Sequence, residues 1–147
     1  MRTASEMREF AARYNVTAGD RSGVKLERCP FELLAETLLP EERVLFCFGA
    51  LHEKAVAMTN YRMIHGETRD PAHDQTGGVR TYSYDIITSV FSGNMLLHIS
   101  LYGQKELTYG NFAMEHIREA AEKIGDLIQK YKSGTDPRTA AGMTSGI

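Results

Sequence analysis

The side chains able to do chemistry in this chain are few and scattered. Cys47 and His52 offer a thiol and an imidazole in one short segment, the makings of a nucleophile–base pair. Ser83, Asp85 and His98 are the residue types of an acyl-transfer triad. Asp70, His73 and Asp74 are acceptable ligands for a divalent metal. None of these sets comes with a spacing that would fix its geometry. No nucleophile elbow surrounds Ser83 or Cys47, and Cys47 and His52 fall at different ends of one hairpin. The metal-type residues sit in a polar loop without a ligand signature, and His52, His65, His98 and His116 have no paired motif. Gly77-Gly78 is followed by no helix, so it is a turn and not a phosphate cradle. The expectation is a protein that is not an enzyme and holds no metal or cofactor.

Composition narrows the classes further. A chain of 147 residues fits one domain, with 42% apolar and 24% charged residues. The net charge of −2 supplies no global field toward nucleic acid or an anionic membrane. Cys29 and Cys47 lack the C-x-x-C spacing of zinc or redox sites, which favours a reducing cytoplasm. No apolar run approaches the roughly 20 residues that span a bilayer. The first ten residues lack the apolar core of a signal peptide.

The elements that must position any site follow from periodicity. Met7, Phe10, Ala11 and Tyr14 form one stripe of a first helix over 4–14, with Thr3 or Ser5 as its cap. A connector over 15–28 leads to a second short helix that starts at Pro30 and ends before Pro40. Short apolar runs then replace the helical period. Strands are predicted over 44–48, 55–58, 61–65, 80–84 and 86–91, with a polar loop over 66–78. Ser92-Gly93-Asn94 reads as a hairpin turn. Met95, Leu97, Ile99 and Leu101 alternate along the next strand, and 105–109 is the last. Asn111 is placed to cap a helix over 112–132 that buries Ile117, Ala121, Ile124, Ile128 and Tyr131. The segments read as a helical extension and connector over 1–32, a main domain over 33–132 and a flexible tail over 133–147. This is an α+β, mainly β order of about seven antiparallel strands and a closing helix.

Three motifs sharpen that outline. They are Leu38-Leu39-Pro40-Glu41-Glu42-Arg43-Val44, Met58-Thr59-Asn60-Tyr61-Arg62-Met63-Ile64 and Tyr84-Asp85-Ile86-Ile87-Thr88-Ser89-Val90. In this order they resemble the entry to the first strand, the second hairpin and the entry to the fifth strand of bacterial pleckstrin-homology domains of the YokE-like type. The resemblance covers about two-thirds of the chain and implies a PH-like barrel capped by its C-terminal helix. Glu41 stands where the family has Gly, and His65-Gly66 replaces an aromatic strand end. Thr59 and Asn60 suit a tight reversal, through a hydroxyl bonding the turn backbone and a tolerance of left-handed φ. Arg62 reads as architectural, its guanidinium directed at a carboxylate or carbonyl.

The resemblance also implies that ligand-facing loops lie over 50–54, 66–78 and 102–104. Their candidate contacts are His52, Lys54, Arg69, His73 and Arg80. Acidic neighbours nearly cancel these cations, so a polyphosphate headgroup is not expected. Lys54, Arg69 and Arg80 leave weak contact with an anionic membrane as the alternative reading. The stronger signal is surplus apolar surface. The first two strands are apolar on both faces: Val44, Phe46 and Phe48 can fill a barrel, which leaves Leu45, Cys47, Ala55 and Ala57 outside it. Either the N-terminal helices cover that face, or Met7, Phe10, Tyr14, Leu45 and Cys47 contribute to an interface. The expected function is therefore a non-enzymatic binding or assembly module that contacts a protein partner or a second copy of itself, with no nucleic acid.

Overall fold

The computed structural model describes residues 1–15, 29–50, 53–68 and 77–132. Its elements run α1 (Ala4–Ala11), α2 (Pro30–Thr37), β1 (Val44–Ala50), β2 (Lys54–Thr59), β3 (Arg62–Glu67), β4 (Gly78–Ser83), β5 (Ile87–Gly93), β6 (Leu96–Leu101), β7 (Leu107–Tyr109) and α3 (Met114–Tyr131). The seven strands form two antiparallel sheets, ordered β1-β2-β3-β4 and β5-β6-β7. They do not close into one barrel, because no ladder joins β4 to β5 or β1 to β7 among the described residues. No described helix is long and apolar enough to cross a membrane.

The first sheet has two buried faces, and the residues differ between them. Phe46, Phe48, Val56, Met58 and Met63 point into the core shared with the second sheet and α3. Val44, Cys47, Ala55, Ala57 and Ile64 point outward, under Met7 and Ala11 of α1 and Phe31 and Leu34 of α2. The small outer side chains let the helices approach closely. At Gly66 the approach is tight: an added Cβ would lie 3.1 Å from Leu34 Cδ2 and 3.4 Å from the Pro30 carbonyl. Val44 belongs to this outer set and not to the barrel, because a bulge between Val44 and Phe46 shifts the register by one residue. Leu45 sits at that bulge, half-buried.

Of the interface candidates, Met7, Tyr14 and Cys47 are thus taken up within the chain, while Phe10 and Leu45 are half-buried. Met7 and Cys47 are fully buried and Tyr14 nearly so. Phe10 and Tyr14 reach the inner core at Phe46, with ring centroids 5.2 and 4.8 Å from it. Thr3 and Glu6 close a capping box at the start of α1. Past its end, Asn15 bonds the flank of β1, donating to the Gly49 carbonyl at 2.8 Å and accepting from the Gly49 amide at 2.9 Å.

The β2–β3 hairpin is held by a buried carboxylate. Glu42 is fully buried and accepts from Arg62 Nε and Nη2 at 2.9 Å each, Thr59 Oγ1 at 2.6 Å and the Leu39 amide at 3.0 Å. Burial pushes its pKa up. The guanidinium, the hydroxyl and the amide outweigh that and hold it below the ordinary carboxylate value. Arg62 is architectural, as its setting in the motif predicts. Thr59 Oγ1 accepts from the Tyr61 and Arg62 amides at 2.9 and 3.0 Å. Asn60, however, does not adopt left-handed φ. Its side chain instead accepts from the Arg43 amide at 2.7 Å and so ties the turn to the entry of β1.

Two other turns differ from expectation. The β5–β6 reversal is Asn94-Met95, with φ of 53° and 64°, since the Gly93–Leu96 pair leaves those two residues between the strands. Met95 is therefore in the turn and exposed, while Leu97, Ile99 and Leu101 alternate inward as predicted. Asn111 is no cap: its φ of 66° swings the chain so that Phe112 bridges to Asn15, and α3 starts after Ala113.

Candidate functional site

The inner face of the first sheet changes character along its length. One cross-strand row is apolar with a polar tip, Phe46-Met58-Met63-Tyr82. The next is Phe48-Val56-His65-Arg80, and the last is Ala50-Lys54-Glu67-Gly78. Because directly paired residues share a face, the core gives way to Lys54, His65, Glu67 and Arg80 at the end where β1 meets β2 and β3 leads toward β4. A cavity of about 270 Å³ opens there, lined by His65, Glu67, Gly77, Gly78, Val79 and Arg80.

His65 anchors this end. Its Nδ1 lies 3.0 Å from the Tyr109 hydroxyl on β7, and its Nε2 lies 3.0 Å from Glu67 Oε1. A carboxylate only accepts, so the bonding pattern puts the proton on Nε2 and leaves Nδ1 to accept from Tyr109. Burial lowers the His65 pKa below its ordinary value, against the raising influence of Glu67, which keeps the ring neutral. Burial also drives the Tyr109 hydroxyl well above its usual range, with Tyr82 and Glu67 adding to it. The His65–Tyr109 bond spans the two sheets and sets the position of Glu67 at the mouth of the cavity.

Of the loop residues singled out by sequence, the structure brings Lys54 and Arg80 together on either side of β3, opposite Glu67 and His65. His52, Arg69 and His73 lie outside the described residues, as do Asp70 and Asp74. Among the described residues, no three His, Cys, Asp or Glu side chains are grouped to hold a metal. Cys47 is not poised as a nucleophile: its thiol donates to the Met7 carbonyl at 3.3 Å, and burial pushes its pKa to about 12. The imagined triad is also not assembled around His98. That ring bonds Glu106 and the Gly93 carbonyl on the outer side of the second sheet, while Ser83 accepts from the Asp85 amide at 3.2 Å.

His65, Glu67 and Tyr109 were not visible as a set in the sequence. The available signal was period two: Met63, His65 and Glu67 fall on one face of β3, the face that Met63 commits to the core. No family model, curated protein or solved structure matches this chain.

Proposed function

We propose that this chain is a non-enzymatic assembly module of PH-like architecture that pairs with a second copy of itself along β4. Seven antiparallel strands, a closing helix and the three motifs support the PH-like part of the reading. Two free cysteines fit a reducing, cytoplasmic setting.

One observation carries the assembly reading. β4 is the last strand of its sheet, its far edge meets no strand among the described residues, and five of its six residues are exposed. Such an edge is a template for another strand. Its sequence, Gly78-Val79-Arg80-Thr81-Tyr82-Ser83, contains no Pro and a single charge. A two-fold axis through Thr81 pairs Thr81 with its own copy, Arg80 with Tyr82 and Val79 with Ser83. No like charges then face each other, and each Arg80 lies beside an aromatic ring.

Light scattering over a range of concentrations tests this. The expected mass approaches twice that of the chain as concentration rises, and Thr81→Lys, which sets two cations face to face at the axis, returns it to that of one chain. A single-chain mass at every concentration for the unaltered protein overturns the reading.

A further inference from the structure

We propose that the polar end of the first sheet is a binding site for a small zwitterion of the α-amino-acid type. The site is the cavity of about 270 Å³ bounded by His65, Glu67, Gly78 and Arg80. At this volume it falls just under the range that encloses drug-sized ligands and suits a smaller solute.

The charges select the ligand. Glu67 stands directly opposite Lys54 and diagonal to Arg80 on one face of the sheet. A simple anion entering here meets the Glu67 carboxylate, and a simple cation meets Arg80. A solute with a carboxylate and an ammonium a few ångströms apart satisfies both walls, its carboxylate taking two parallel bonds from the Arg80 guanidinium and its ammonium donating to Glu67. Among the described residues, no ion pair or hydrogen bond holds the Arg80 guanidinium, which leaves it placed for this role. His65 holds one Glu67 oxygen through Nε2, which orients the carboxylate, and its neutral ring adds no charge to repel the ammonium.

The opening itself depends on an absent side chain. Gly78 ends the row Ala50-Lys54-Glu67-Gly78, and a Cβ built there would meet nothing within 4 Å. Its backbone is outside the left-handed region, so a larger residue is tolerated there without strain and would fill the cavity beside Glu67.

Isothermal titration with each standard α-amino acid tests the site, with acetate and ethylamine as half-molecule controls. The expected result is saturable binding of at least one amino acid, with acetate and ethylamine at least about ten-fold weaker. Glu67→Gln and Arg80→Gln each weaken binding by about ten-fold or more, and Gly78→Leu abolishes it, while far-UV spectra and melting temperatures show that the variants are folded. Thr81→Lys leaves the affinity within about two-fold, because it blocks strand pairing without touching the cavity, so the two proposals fail separately. Three outcomes overturn the inference: no saturable binding up to about 10 mM of any amino acid, acetate binding as tightly as the zwitterion, or unchanged affinity in Gly78→Leu.

Discussion

His98 and Glu106 are joined by a 2.9 Å hydrogen bond from Nδ1 to Oε1, and the other ring nitrogen lies 2.9 Å from the Gly93 carbonyl. Both partners accept, so this setting favours the doubly protonated imidazolium form of the ring. Phe91 stacks on it with the rings 4.6 Å apart and 2° from parallel, an arrangement that favours a cationic ring. His65 is the opposite case, with one partner able to donate and a ring kept neutral.

The His98 pKa is raised, first by Glu106 and then by the Gly93 carbonyl. A group whose folded pKa lies above its unfolded value stabilises fully below the unfolded value and loses that contribution as pH rises through the folded one. The stability advantage of the unaltered protein over His98→Gln is therefore expected to be largest below the ordinary imidazole value and to shrink as pH rises above it, read as the difference in melting temperature between the two at each pH. Titration of the imidazole by NMR should also place the His98 pKa lower in Glu106→Gln.

Removing Arg62 leaves the Glu42 carboxylate buried with its charge unopposed. Arg62→Ala should cost about 3–5 kcal/mol in urea denaturation. Arg62→Lys recovers only part of this, because an ammonium cannot make the paired bonds from Nε and Nη2. Equal stability of Arg62→Ala and the unaltered chain would contradict the arrangement.

Gly66→Ala pushes a methyl group against Leu34 and the Pro30 carbonyl. A loss of about 1–3 kcal/mol is expected. Leu34→Val withdraws part of the obstacle, so the double variant should lose less than the sum of the two single losses.

Met95 holds a φ of 64°, a region that glycine enters without steric penalty. Met95→Gly turns the reversal into Asn-Gly, the preferred pair for this geometry, and should raise stability by about 1 kcal/mol in thermal or denaturant unfolding.

Cys47 reports whether α1 is seated. It is fully buried and its thiol bonds the Met7 carbonyl, whereas Cys29 is partly exposed. A disulfide reagent should modify Cys29 quickly and Cys47 at the slow rate of local opening. Met7→Asp, which places a charge beneath the helix, should bring the two rates together.

Local features of this fold were legible in the sequence and long-range ones were not. The alternation of Leu97, Ile99 and Leu101 and the Thr59-Asn60-Tyr61-Arg62 turn are short-range patterns, and both stand in the structure. Glu42 looked like one more surface acid in Glu41-Glu42-Arg43, because the guanidinium that pairs with it is 20 residues away. His65 and Tyr109 are 44 residues apart on different sheets, so their bond leaves no spacing to read. The bulge at Leu45 reversed the assignment of Val44, since a single inserted residue exchanges the faces of every position on one side of it.

The two flanks of the first sheet are treated differently. Along β1, Met1 exchanges backbone bonds with Val44 at 2.9 and 3.0 Å, and the Asn15 amide occupies both polar groups of Gly49. Fibril growth by strand stacking requires a molecule that accepts a neighbour on both sides. Among the described residues of this sheet only β4 remains receptive, so one pairing event exhausts it. Met1 and Asn15 thereby act as chain terminators, and stacking through the first sheet stops at a pair.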